Sequence, residues 1–119
     1  MITENGKLPF GIEKDGTVHR NYSLREQVVA DAIDVFESSD AARAERSDSY
    51  YGVCVMSKRL SVLGLPQQDI TPTLIMGMRQ DDFNELAAAD KRLKAKRLAF
   101  RDAAEAAAKD SAGSDEAGV

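Results

Sequence analysis

The chain has 119 residues, a formal charge of −4 and a pI near 5.0. That length suits one domain with a modest core, and the acidic balance argues against a nucleic-acid binder, which carries a net basic face. No apolar run approaches membrane-spanning length and no basic-then-apolar leader stands at the start. The single cysteine, Cys54, has no internal disulfide partner, so a reducing cytoplasm is the expected compartment.

In chain order, Lys7–Ile12 and Thr17–Tyr22 read as two short strands around Glu13-Lys14-Asp15-Gly16. Asp-Gly supplies the positive φ that a tight hairpin turn needs. Pro9 cannot donate to a ladder, which confines its strand to an edge. Ser23 with Glu26 then spells a capping box, and Leu24, Val28, Ala32, Val35 and Phe36 follow at helical spacing. Ala41–Arg46 is helix-prone but shows almost no face to bury, so it reads as a connector or loose turn. Ser47 or Asp48 caps a helix anchored by Tyr51, Val55, Leu60 and Leu63, closed by Gly64 and Pro66.

Thr71-Pro72 is an N-cap followed by proline at the first helical position. A short helix through Leu74, Ile75 and Met78 is predicted there. Asp81 caps the longest helix, whose inward and boundary positions are Phe83, Leu86, Ala87, Asp90, Leu93, Arg97 and Leu98. That helix is expected to fray near Lys109, and 110–119 has the composition of a disordered acidic tail. The predicted fold class is α+β, predominantly α: a short N-terminal β-hairpin (1–22), then three to four helices (23–109), the last one long, in a single domain over 1–109.

Catalytic constellations are hard to find. His19 is the lone histidine and lies on the hairpin; without clustered His, Cys and Asp there is no metal-ligand pattern. Cys54 is flanked by valines, whereas a reactive thiolate needs an electropositive, partly exposed setting. Asp81-Asp82 reads as a cap and a dipole-favoured first-turn carboxylate, and no phosphate-binding fingerprint is present. The expectation is a non-enzyme without cofactor or metal. A helix–turn–helix over Tyr50–Leu63 and Pro72 onward has the right order, but Thr73–Met78 is apolar where base-reading residues belong.

What remains is protein-binding surface. Leu74, Ile75, Met76 and Met78 form an adaptable apolar stretch. The basic run that includes Lys94, Arg97 and Arg101 lines the late helix. These seven residues are the candidate partner-binding set, for a client or for a second copy of the chain.

The N-terminal words carry a resemblance. Leu8-Pro9-Phe10-Gly11-Ile12, Asp15-Gly16-Thr17-Val18-His19-Arg20 and Tyr22-Ser23-Leu24-Arg25-Glu26 resemble the opening of the small tail assembly proteins of contractile-tailed phages and Mu-like prophages. Asp81–Leu86 is similar to a later helical stretch of that family. The resemblance implies a tail assembly chaperone that binds the tape measure protein, and keeps it soluble in the host cytoplasm until tail tube protein polymerises around it. A structural tail or baseplate subunit, and a small helical DNA-binding regulator, are the competing expectations.

Overall fold

The Asp15-Gly16 turn closes a long hairpin, with φ of 52° at Asp15 and 78° at Gly16, the left-handed pair that suits the twist of antiparallel strands. β1 (Thr3–Lys14) pairs with β2 (Thr17–Arg25) from Lys14↔Thr17 to Thr3↔Arg25. This is a computed structural model that describes residues 1–117, with side chains through residue 109; the tail expected over 110–119 lies outside the residues whose side chains are described.

Between Lys7 and Ile12 the register breaks. Leu8–Gly11 face the single Arg20, so β1 bulges where Pro9 could not have joined a ladder. The bulge drives Leu8 into the core with no exposed surface, and Arg20 Nε donates to the Leu8 carbonyl at 2.8 Å. Gly11 takes a φ of 94° there, a conformation that side-chain-bearing residues avoid.

After the hairpin come α1 (Val29–Phe36), α2 (Ala41–Arg46) and α3 (Asp48–Arg59), then β3 (Leu60–Val62), a single 3-10 turn at Gln67–Asp69, α4 (Pro72–Met76) and α5 (Gln80–Ala117). The sheet order is β1-β2-β3. One sheet face carries Leu8, Tyr22, Leu24, Leu60 and Val62, and it packs on Leu86, Ala89 and Leu93 of α5. The last three are spaced as one helical face demands. A second, smaller cluster of Val35, Ala44, Tyr50, Cys54 and Val55 joins α1, α2 and α3.

The fold class matches the α+β expectation, with the last helix long. Some local readings are corrected by tertiary pairing. Ser23 caps no helix; it lies in β2 between Asn5 and Ser61. Strand pairing on both sides outweighs a local cap, and α1 begins only at Val29, where Asp31 accepts from the Val28 amide at 2.9 Å.

The helix predicted to run to Leu63 stops at Arg59. Leu60 and Val62 point into the core with Ser61 outward, pairing as a strand with Leu24 and Tyr22, while Leu63 is left 74% exposed. Gly64, read as a helix end, has a φ of 94° and a position where any Cβ would strike the His19 ring. Ala41–Arg46 is a true helix that buries Ala44. Asp81 falls in the first turn of α5, which starts at Gln80, instead of at its cap. The Ser47 cap on Tyr50 and the Thr71 cap on Leu74, with Pro72 beginning α4, match expectation.

Candidate functional site

An open groove of about 590 Å³ runs between α3 and α5. Its lining includes Gly52, Val53 and Met56 from α3 and Phe83 and Ala87 from α5, with Asp48, Lys91 and Lys94 on the rim. Gly52 lies on its open side, where a Cβ would meet no atom within 4 Å. A mid-helix glycine costs helix stability, about 0.5–1 kcal/mol against alanine, so its position at a concave surface is informative. Tyr51, at one end of the groove, stacks on Phe36 with ring centroids 5.5 Å apart.

Two ion pairs hold the walls of this groove in place. Arg59 is 7% exposed; its Nη2 donates to Asp90 of α5 at 2.7 Å and its Nε to the Arg25 carbonyl at 3.0 Å. Arg25 in turn grips Asp31 with both guanidinium nitrogens, at 3.0 and 2.7 Å, and donates to the Lys58 carbonyl. The chain Asp31–Arg25–Arg59–Asp90 thus ties the α1–α3 cluster to the sheet-and-α5 core. The bidentate Arg25 and the Val28 amide hold the Asp31 carboxyl below its ordinary value, against burial. Burial pushes Asp90 upward, but Arg59 and Lys94 outweigh it, leaving its carboxyl lowered as well.

A second polar network sits where α5 crosses the hairpin. Tyr22 donates its hydroxyl to Glu85, and Arg92 donates to Tyr22 at 3.1 Å and to Glu85 at 2.9 Å. Arg92 also reaches Glu4 at 3.0 Å, and Lys96 lies 2.5 Å from the other Glu4 oxygen. Burial first, then the neighbouring Glu85, pushes the Tyr22 phenol far above its usual range. Its charges are arranged as a closed set of pairs, which positions α5 on β1 and β2.

The seven partner-binding candidates scatter. Ile75 is 3% exposed and belongs to the core, with Leu74 and Met78 half-buried against it; only Met76 of that stretch is open, 44% exposed, with Arg43 beside its sulfur. Ile75 is therefore core and its neighbours Leu74 and Met78 are half-buried, because α4 packs on α3 and turns Ile75 into the sheet-and-α5 cluster. Lys94 lies on the groove rim and pairs with Asp90 at 3.5 Å. Arg97 sits 3.7 Å from Glu26, and Arg101 pairs with Asp102 and Glu105.

Compared with family profiles, with curated proteins and with solved structures, the chain matches none of them.

Cys54 and His19 are not brought together. Cys54 is 2% exposed in the α1–α3 cluster, where burial raises its thiol pKa, whereas His19 packs over Gly64. Among the described residues no three His, Cys, Asp or Glu side chains gather to hold a metal ion. No helix there is long and apolar enough to cross a membrane.

Of the groove residues, Phe83 and Ala87 are expected as inward or boundary positions, whereas Gly52 carries no expectation. The signal was present: a glycine inside an otherwise regular helical pattern calls for a packing or functional reason. Asp82 stands in the first turn of α5 as expected, and it is also fully buried, accepting from the Phe10 amide at 2.8 Å and the Gly11 amide at 3.1 Å. Nothing local distinguishes Asp82 from its neighbour Asp81.

Proposed function

We propose that this chain is a phage tail assembly chaperone, acting in the host cytoplasm by binding the tape measure protein and keeping it soluble during tail tube assembly. The observation that carries this reading is the α3–α5 groove. An amphipathic helix docks by laying its apolar face into such a trough while charged rims set its orientation. Val53, Phe83 and Ala87 supply the apolar floor, and Asp48, Lys91 and Lys94 supply rims of both signs. Met56, 8% exposed, belongs to the core beneath this floor, and the half-buried Val53 and Phe83 are its more accessible apolar side chains.

The hairpin words behind the family resemblance support the same reading. The Leu8-Pro9-Phe10-Gly11 word forms the β1 bulge, and the Asp15-Gly16 word forms its turn. The protein acts by holding a partner and performs no covalent chemistry.

Co-expression tests this directly. A tape measure protein encoded beside this gene is expected to stay in the soluble fraction only with the chain present, and to co-purify with it. Tape measure protein that is soluble alone and fails to co-purify overturns the proposal. So does recovery of this chain, by mass spectrometry, as a stoichiometric component of finished particles.

A further inference from the structure

The inward face of α5 outlasts the body it packs on. Leu86 and Leu93 are buried at 0% and 1% exposure, and Phe100, seven residues further and on the same helical face, is 68% exposed. Ala103, Ala104 and Ala107 continue that face in sequence. Basic side chains flank it: Lys91–Arg101 contains Lys91, Arg92, Lys94, Lys96, Arg97 and Arg101 and no acidic residue.

The opposite pattern stands on α1. Val29, Ile33 and Phe36 form one outward stripe, 79%, 49% and 49% exposed, while Asp31 and Val35 face inward. The segment Glu26–Glu37 holds Glu26, Asp31, Asp34 and Glu37 and no basic residue. Asp34 and Glu37 are exposed and make no ion pair among the described residues.

These are two exposed apolar helix faces of opposite charge on one chain. Within it, among the described residues, their charged flanks touch only where Arg97 lies 3.7 Å from Glu26, and Phe36 leans on Tyr51, while Val29, Ile33 and Phe100 stay open to solvent. We infer that they meet between chains: the Phe100 face of α5 in one copy docks on the Val29–Ile33–Phe36 stripe of a second copy, with Arg97 and Arg101 set against Asp34 and Glu37. A two-fold axis makes the contact reciprocal, each α5 on the other copy's α1. The eight residues of α1 offer too little surface for one such contact to reach the ~1,200 Å² of a standard interface, and the reciprocal pair doubles it.

Light scattering and sedimentation equilibrium on the full chain, at low and high salt, test this. The expected result is a dimer that weakens as salt rises, since exposed charge pairs are screened. Phe100→Asp is expected to give a monomer. Leu98→Asp, on the far side of α5 from Phe100, should leave the dimer intact. The pair Asp34→Lys with Glu37→Lys should weaken association by roughly tenfold or more, and adding Arg97→Glu with Arg101→Glu to the same chain should restore most of it. Unchanged melting curves confirm that these surface variants are folded. A full chain that stays monomeric at every concentration overturns the inference. So does a dimer that survives the α1 reversal, which means α5 pairs with α5, or one that is lost with Leu98→Asp.

Discussion

Asp82 in the first turn of α5 holds the backbone of Gly11 in β1, 71 residues away in the chain, through a 3.1 Å bond from the Gly11 amide to its Oδ2. Its other oxygen takes the Phe10 amide. A single buried carboxylate thereby satisfies two amides of the β1 bulge, and it joins the helix to the hairpin at the point where the hairpin is irregular.

Replacing Asp82 with alanine strands those two amides. Leaving buried donors unsatisfied costs their desolvation, so Asp82→Ala is expected to lower unfolding stability by about 2–4 kcal/mol. Asp81→Ala, one residue away and exposed, should stay within about 0.5 kcal/mol of the parent. Urea titrations followed by circular dichroism measure both, and equal effects would remove Asp82 from this role.

Acid should unfold the protein through its paired carboxylates. Arg25 holds the folded Asp31 carboxyl below its ordinary 3.8, and the Tyr22 hydroxyl followed by Arg92 holds Glu85 below 4.5. A depressed folded value means that the stabilisation is complete above the unfolded value and is lost as pH falls through the folded one. Stability should therefore be flat near neutrality and fall between about pH 5 and pH 2. Asp31→Asn should lower the plateau and flatten the acid limb; a limb identical to the parent's would show that Asp31 carries none of this dependence. Thermal midpoints across that range provide the measurement.

Gly52 separates stability from binding. Because its surroundings are open, Gly52→Ala should raise stability by about 0.5–1 kcal/mol through helix propensity alone. Gly52→Arg should fold equally well while filling the α3–α5 groove, and it should fail to keep the tape measure protein soluble in the co-expression assay. A folded Gly52→Arg protein that retains full client binding would place the client elsewhere.

Cys54 should behave as a core residue. With its side chain enclosed among Val35, Ala44, Tyr50 and Val55 and its thiol pKa raised by burial, it should react with a thiol reagent roughly a hundredfold or more slowly in the native protein than in denaturant. Rapid native labelling, followed by the absorbance of the released chromophore, would show that the α1–α3 cluster opens readily. Tyr50 reports on the same cluster: its phenol is pushed up to about 12, first by its hydrogen bond to Asp40 and then by burial.

Features whose causes lie within a few residues were legible from the chain alone. The Asp15-Gly16 turn, the Ser47 cap, the Thr71-Pro72 start of α4 and the burial of Leu86 and Leu93 on α5 each follow from local dihedral preference, a nearby hydrogen bond or helical spacing. So did the α+β class. By contrast, Ala87 and Leu98, expected inward or at the boundary, are exposed and Ala89 is buried instead. Other features were decided by tertiary structure, because their partners are distant. Ser23 carries a sound capping signal, yet β2 is paired on both edges up to Arg25, and several ladder bonds outweigh one cap. Leu60 and Val62 fit a helix as well as a strand until Leu24 and Tyr22 lie opposite them.

Leu74 and Ile75 looked like spare apolar surface because a sequence does not show that α4 packs on α3 and turns Ile75 into the core. Asp81 and Asp82 are chemically identical neighbours. Only the passage of the β1 bulge over the start of α5 makes one a solvated charge and the other the fastening between α5 and the hairpin.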